Sequence, residues 1–133
     1  MSRFRTKEVS NYMTKEKINE ILKTSREDFK RYKEFHKESY LRDAAQKLYE
    51  AMLNYGEYKY GMRYTKVDQF RADFYSDKQK IPIEVNERRQ LVTDGLNLHE
   101  YAYHGREENA NLDDLAVYWQ NFYNKLNFLV KHS

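Results

Sequence analysis

Apolar side chains recur at intervals of three and four residues along most of this chain, which is the spacing of one face of an α-helix. The pattern is clearest after Ser39, in the set Tyr40, Leu41, Ala44, Ala45, Leu48, Tyr49, Met52 and Leu53. No segment alternates at period two for long enough to predict a convincing strand, and Pro82 is the only proline. The sequence therefore predicts an all-α fold.

Helix boundaries in the first half follow from capping residues. Thr14 is an N-cap candidate for the first helix, and Ser25 with Asp28 could form a second capping box that breaks this helix near Thr24. A second helix follows His36-Lys-Glu-Ser39. One long bent helix through both segments is the alternative, but two helices are preferred because a compact domain needs an antiparallel return.

The second half contains three further predicted helices. Thr65-Lys-Val-Asp68 resembles a capping box that opens a short helix, which ends before Pro82. A fourth helix runs from about Ile83 to Tyr103, with Gly105 at its C-cap and a polar loop at 106–110. Asn111 caps a last helix with the apolar stripe Leu115, Trp119, Phe122, Leu126 and Leu129. We expect a four- or five-helix antiparallel bundle over residues 14–133, preceded by a flexible basic arm, residues 1–13.

Composition limits the classes of protein that fit. The 133 residues, 40% hydrophobic and 34% charged, suit one domain with its own core. The chain has no cysteine, which leaves neither a disulfide framework nor a thiolate site and fits a reducing compartment. It shows neither an apolar signal segment nor a long uncharged apolar run, so we expect a soluble cytoplasmic protein without a membrane partner.

The segment Leu98-His-Glu-Tyr-Ala-Tyr-His-Gly105 contains two histidines that suggest a metal site. His99 and His104 are five residues apart, which turns the second imidazole about 140° from the first on a helix. One helix cannot present both to one ion, so no metal or other cofactor is predicted. His99 instead belongs to a stripe on one helical face, where we expect it buried or half-buried: Val85, Arg88, Val92, Leu96, His99 and Tyr103.

Two segments carry a family resemblance: Ser39-Tyr-Leu-Arg-Asp-Ala-Ala-Gln-Lys-Leu-Tyr-Glu-Ala-Met-Leu53 and Gly95-Leu-Asn-Leu-His-Glu-Tyr-Ala-Tyr103. With the order of helices around them, they resemble the PaREP family of archaeal proteins, within the higher eukaryotes and prokaryotes nucleotide-binding (HEPN) superfamily. The resemblance implies an all-α bundle that dimerises through helix faces. In catalytic branches it implies metal-independent RNA cleavage by an arginine followed four to six residues later by a histidine near the end of a late helix.

The chain departs from that catalytic pattern. His99 stands at the expected place, but no arginine stands four to six residues before it, where the chain reads Val92-Thr-Asp94 and then Gly95. The only match to the spacing, Arg31 to His36, lies on the first helix. A ribonuclease would have to combine His99 with Arg106, beyond the helix end, or with Arg88, about 16 Å earlier along the helix and reachable only in a crossed dimer.

Candidate nucleic-acid-binding residues lie mainly in the basic first half. Residues 1–66 hold 16 Lys and Arg against 10 Asp and Glu, whereas residues 67–133 hold 8 against 11. Cations that can track phosphates and tyrosines that can stack on bases occur in the tail and in a tyrosine-rich segment: Arg3, Arg5, Lys7, Lys59, Tyr60, Arg63 and Tyr64. Packing of these tyrosines against a helix is the favoured alternative. The run Lys30-Arg-Tyr-Lys33 lies among acids and predicts an ion-paired helix surface.

The sequence thus favours a non-catalytic helical binding module for nucleic acid or nucleotide that forms a homodimer through helix faces. Two alternatives remain open at this point. One is a metal-independent HEPN-like ribonuclease of the toxin type. The other is a nucleic-acid-coating structural protein, such as a small archaeal viral coat subunit that uses its N-terminal arm.

Overall fold

Five α-helices make up most of the structure, a computed structural model that describes residues 8–9, 12–77, 83–104 and 111–133. In chain order the elements are β1 (Glu8–Val9), α1 (Lys15–Phe35), α2 (Glu38–Tyr60), β2 (Met62–Arg63), α3 (Val67–Ser76), α4 (Val85–His99) and α5 (Leu112–Lys131). A π-helical turn, Glu100–His104, continues α4. The all-α prediction is confirmed, and the two-residue strands β1 and β2 only pair the chain's start with the end of α2.

The first two helices are separate, as predicted. The Thr14 hydroxyl accepts a hydrogen bond from the Lys17 amide and begins α1. His36 ends it in the left-handed region, at φ 54°, with its amide donating to the Tyr32 carbonyl. Gly61 ends α2 in the same way, at φ 69°.

The predicted break near Thr24 is wrong, and tertiary partners explain why. α1 continues without interruption through Ser25 and Asp28, which are both buried. The Ser25 hydroxyl donates to the Ala44 carbonyl on α2, and the Asp28 carboxylate accepts from the Lys47 ammonium. Both side chains therefore serve the contact with α2, and neither caps a helix.

Capping of the later helices is partly as predicted. Asn111 caps α5 by accepting from the amides of Asp113 and Asp114. The start of α3 is displaced by one residue, because Lys66 is the N-cap and the Gln69 side chain, in place of Asp68, accepts from the amides before it. The predicted cap Gly105 and the loop 106–110 lie outside the described residues.

The buried face of α4 is rotated relative to the predicted stripe. Arg88 and Val92 are buried as expected, but the core contact is completed by Leu91, Gly95 and Leu98. The ends of the predicted stripe face outward, since Val85 is 46% exposed and Tyr103 is 61% exposed. His99 consequently lies at the border of the core and is half-buried.

The core lies where α2 is covered by α1, α4 and α5. All five residues of the predicted α5 stripe are buried, with Trp119 1% exposed. The Trp119 ring stacks on Phe29 of α1, with centroids 4.0 Å apart, and its indole N–H donates to the Ser25 hydroxyl. The same N–H lies 3.3 Å from the Ala44 carbonyl, so one hydrogen-bonded group joins three helices.

Gly56 of α2 allows α3 to pack closely against α2. A Cβ atom at Gly56 would lie 2.4 Å from Cδ1 of Phe70, a distance that no packed core allows. Phe70 and Phe74 are both fully buried and stack with centroids 4.8 Å apart. The absence of a side chain at position 56 therefore lets the aromatic face of α3 contact the α2 backbone.

We expect Ser25→Ala to lower the free energy of unfolding by about 1 to 2 kcal/mol, since it removes a buried donor and acceptor between helices. Chemical denaturation followed by circular dichroism measures this. Ser39→Ala is the matched control, because Ser39 is exposed near the start of α2. Equal losses in the two variants would contradict the role given to the Ser25 hydroxyl.

Candidate functional site

Four cationic side chains form a stripe along α1: Lys23, Arg26, Lys30 and Lys33. Their spacing of three, four and three residues places them on one helical face. All four are exposed, and none of them forms an ion pair with a carboxylate among the described residues. We call this set the cationic stripe. It is positive charge available to an external anion.

Asp28, the buried acid of this segment, does not pair with the stripe, and Glu27 and Glu34 are exposed beside the stripe without an ion pair to it among the described residues. Asp28 faces α2, where it pairs with Lys47 and with Arg31. The expected ion-paired surface is therefore wrong for Lys30 and Lys33, within the described part of the chain, and holds only for Arg31. Lys33 instead lies over the Phe29 ring, with its ammonium 5.5 Å from the ring centroid.

A groove between α1 and α5 adjoins the stripe at Lys33 and encloses about 360 Å³. Its apolar lining comes from Phe29, Ala116 and Val117. Its polar lining comes from Lys33, His36, Asp113 and Gln120. Ligand sites of small molecules begin at about this volume and combine apolar walls with a few polar groups, so the groove suits one nucleotide-sized group.

The wall of the groove is the outer edge of the core. Trp119 stacks between Phe29, at 4.0 Å, and Tyr123, at 5.0 Å between centroids. Tyr32 also lines the groove, and burial followed by the Asp113 carboxylate raises the pKa of its phenol. The Tyr32 hydroxyl is therefore a neutral donor at neutral pH. The groove around it has a cationic side at Lys33 and an anionic side at Asp113.

The predicted site residue His99 lies at the end of α4, on the side of α2 opposite the cationic stripe and the groove. Its imidazole stacks on the Tyr49 ring of α2, with centroids 4.1 Å apart and planes 17° apart. The Tyr103 ring meets it edge-on, at 4.8 Å. His99 is thus held between two tyrosines, one buried and one exposed. This cluster is an aromatic contact.

The π-helical turn that follows His99 is held by Arg42 of α2. The Arg42 guanidinium donates to the Tyr101 carbonyl at 2.7 Å and lies 4.5 Å from the centroid of the Tyr101 ring. Tyr101 itself is fully buried, and its hydroxyl finds no hydrogen-bond partner in the described part of the chain. Burial, followed by the Glu38 carboxylate, raises the pKa of Tyr101 to about 12.

Arg88, the other candidate partner of His99, has a structural role, because its side chain binds backbone carbonyl groups. Its side chain is 7% exposed, and its guanidinium donates to the carbonyls of Phe74 and Asp77, both at 2.9 Å. A third, longer bond reaches the Ile83 carbonyl at 3.4 Å. These carbonyls belong to the end of α3 and the start of α4, so Arg88 binds the backbone of the connection between two helices.

The tyrosine-rich segment is mainly a packing element. Tyr64 is 6% exposed, meets Phe70 edge-on and donates to the Asp73 carboxylate. Tyr60 is half-buried and donates to Asp77 at 2.7 Å. Burial and these carboxylates raise the pKa of both phenols. Lys59 is half-buried and Arg63 is exposed, so the structure gathers these four residues around the end of α2.

Several predicted site residues fall outside the described residues, namely Arg3, Arg5 and Lys7 of the arm and Arg106. Within the described ranges, no three His, Asp or Glu side chains gather closely enough to hold a metal ion. No helix in the same ranges is both long and apolar enough to span a membrane.

The cationic stripe was missed in the sequence because acids are interleaved with it. Its spacing was visible, but only the partner of Asp28, nineteen residues away on α2, shows that this acid is used elsewhere. The groove had no local signal, since it needs residues 29 and 117 on helices that are distant in sequence.

No family model, curated protein or solved structure matches this chain. The surfaces described above therefore carry the functional argument on their own geometry.

We expect Tyr101→Phe to raise the free energy of unfolding by about 1 kcal/mol at neutral pH, because it removes a buried hydroxyl without a partner. The folded phenol has a raised pKa, so its stability contribution is intact below the unfolded pKa of about 10 and is lost as pH rises towards about 12. The advantage of the variant should therefore grow above about pH 10. Denaturation at several pH values measures it, and an advantage that does not change with pH would contradict this assignment.

Proposed function

We propose that the protein is a non-catalytic binding module for nucleic acid, HEPN-like in architecture, that acts inside the cell. Its contact surface is the cationic stripe of α1 with the adjoining groove between α1 and α5. The observation that carries the proposal is the alignment of four exposed cations, without carboxylate partners in the described part of the chain, on one helix face.

The physical basis is the release of counterions from a phosphate backbone. Lysine and arginine side chains that neutralise phosphates displace condensed counterions, which gives affinity without sequence preference. Phosphates that follow Lys23, Arg26 and Lys30 lead to the groove beside Lys33. There the apolar lining can accept one base or nucleotide, and the polar groups of His36 and Gln120 are available to its edge.

Binding is favoured over catalysis by the surroundings of His99. Metal-independent RNA cleavage needs a cation to stabilise the charge that develops on the phosphate. Arg88 already donates to backbone carbonyls, and Arg106 lies outside the described residues. Arg88 is thus occupied by structural hydrogen bonds, whereas the cationic stripe needs no further residue to bind an anion.

Replacing Lys23, Arg26 and Lys30 together by Gln should weaken binding of single-stranded RNA at low salt by about tenfold or more. The dependence of log K on log salt should also become shallower by up to about 2, because each phosphate contact contributes about 0.7. Fluorescence anisotropy with a labelled oligonucleotide of about 20 nucleotides, titrated at several salt concentrations, measures both quantities. Lys33 is kept, since it packs on Phe29.

The matched control replaces Lys59, Arg63 and Lys66 by Gln, which removes the same charge near the tyrosine-rich segment. It should bind almost as the unchanged protein does. If the control loses affinity and the stripe variant does not, the tyrosine-rich segment is the site and the proposal is wrong. If neither RNA nor DNA binds with a dissociation constant below ~10 µM at low salt, the proposed function is wrong.

The same assay separates the two alternative functions. Cleavage of the RNA in the presence of EDTA, lost in His99→Ala, would identify a ribonuclease. Preference for duplex DNA, lost when Arg3, Arg5 and Lys7 are replaced by Gln, would identify a coating protein that binds through its arm. The binding module predicts intact RNA and little change on replacement of the arm residues.

A further inference from the structure

α5 has a second stripe, on the side opposite its buried residues. Its members are Asp114, Val117, Asn121, Asn124, Phe128 and Lys131, and all six are exposed. They follow one another at steps of three, four, three, four and three residues, which is the spacing of the contact seam in a pair of coiled helices. We call this set the α5 seam. Val117 and Phe128 are its apolar members, 56% and 44% exposed.

The α5 seam is symmetric about its own midpoint, which lies between Phe122 and Tyr123. Asp114 and Lys131 are equally far from this midpoint and have opposite charges. Val117 and Phe128 form the next pair, and both are apolar. Asn121 and Asn124 form the inner pair, and both are amides. Each residue therefore meets a complementary residue when a second α5 is turned by 180° about an axis through the midpoint.

We propose that a second copy of this chain docks on the α5 seam, with the two α5 helices antiparallel. Asp114 of each copy then faces Lys131 of the other, and Val117 of each copy faces Phe128 of the other. The inference does not rest on nucleic-acid binding. It deepens the expectation of a homodimer by naming the helix, its direction and its register.

Charge selects the antiparallel direction over the parallel one. A parallel pair would place Asp114 against Asp114 and Lys131 against Lys131, and like charges at both ends oppose association. It would also align the two helix dipoles, whereas the antiparallel pair opposes them. The two acids of α5 lie in its first turn and Lys131 lies in its last, so both effects act in the same direction.

The amides at the centre fix the register of the pair. A polar side chain in a helix seam lowers the stability of the helix pair. It also favours the one alignment in which it meets another polar side chain. Sliding one helix by a turn would put Asn121 or Asn124 against an apolar residue. With 20 residues, α5 is about 30 Å long and gives a small contact area, so we expect a reversible dimer.

Sedimentation velocity over a range of protein concentrations tests the interface. Phe128→Glu should raise the dimer dissociation constant by about tenfold or more, because it places a carboxylate against Val117 at two equivalent contacts. Phe35→Glu is the matched control, since Phe35 is 53% exposed at the end of α1 and lies outside the α5 seam. A protein that stays monomeric up to about 100 µM, or an equal effect of both variants, would overturn the proposal.

Charge swaps test the direction independently of folding. Asp114→Lys alone and Lys131→Asp alone should each weaken the dimer, and the double variant should restore it. Each substitution also places an unfavourable charge at its end of the helix dipole, which destabilises the helix. These two costs add in the double variant, so any recovery of dimerisation measures the restored pairing between residues 114 and 131. A double variant as weak as either single variant would overturn the antiparallel arrangement.

Disulfide trapping tests the register, and the chain has no native cysteine to interfere. Val117→Cys and Phe128→Cys should each fail to crosslink alone, because the two copies of each thiol lie about 16 Å apart along the helix. An oxidised mixture of the two variants should give a mixed disulfide dimer. Crosslinking of either variant with itself, or none in the mixture, would contradict the register.

Discussion

The contact on which the rest of the structure depends is the meeting of Trp119 with Ser25 and Ala44. The indole N–H and the Ser25 hydroxyl both point at the Ala44 carbonyl, with the hydroxyl 2.7 Å from that oxygen. All three residues are buried, so each polar group needs a partner there. The hydrogen bonds fix the position of α5 against α1 and α2, and the Phe29–Trp119 stack fixes its rotation. The groove between α1 and α5 takes its shape from this contact.

The sequence predicted those features that depend on neighbours within one helix. The caps at Thr14 and Asn111 and the buried stripe of α5 are local, and all are confirmed. The failures have long-range causes. Ser25 and Asp28 have the residue types of a capping box, but partners on α2 hold them inside a continuous helix. The rotation of α4 is set by the core as well, since Leu91 and Leu98 are fully buried there whereas Val85 is 46% exposed.

The candidate site was less predictable than the fold because it consists of what the core leaves exposed. A row of cations interleaved with acids has the same sequence whether or not its charges are paired. Only the side-chain positions distinguish the two cases: Asp28 points inward, towards Lys47, and the stripe cations form no ion pair among the described residues. Arg88 shows the reverse error: an arginine on a helix near a histidine suggests chemistry, yet its guanidinium holds the connection between α3 and α4.

α1 and α5 each use more than one face, and the two proposed surfaces share a residue. α1 contributes Phe29 to the core and the cationic stripe to solvent. α5 contributes Trp119 to the core and the α5 seam to the opposite side. Val117 belongs both to the seam and to the lining of the groove. A partner copy that covers Val117 therefore changes one wall of the groove, and a ligand in the groove changes one contact of the dimer. By linkage, any change that one event makes in the free energy of the other is reciprocal and equal in size.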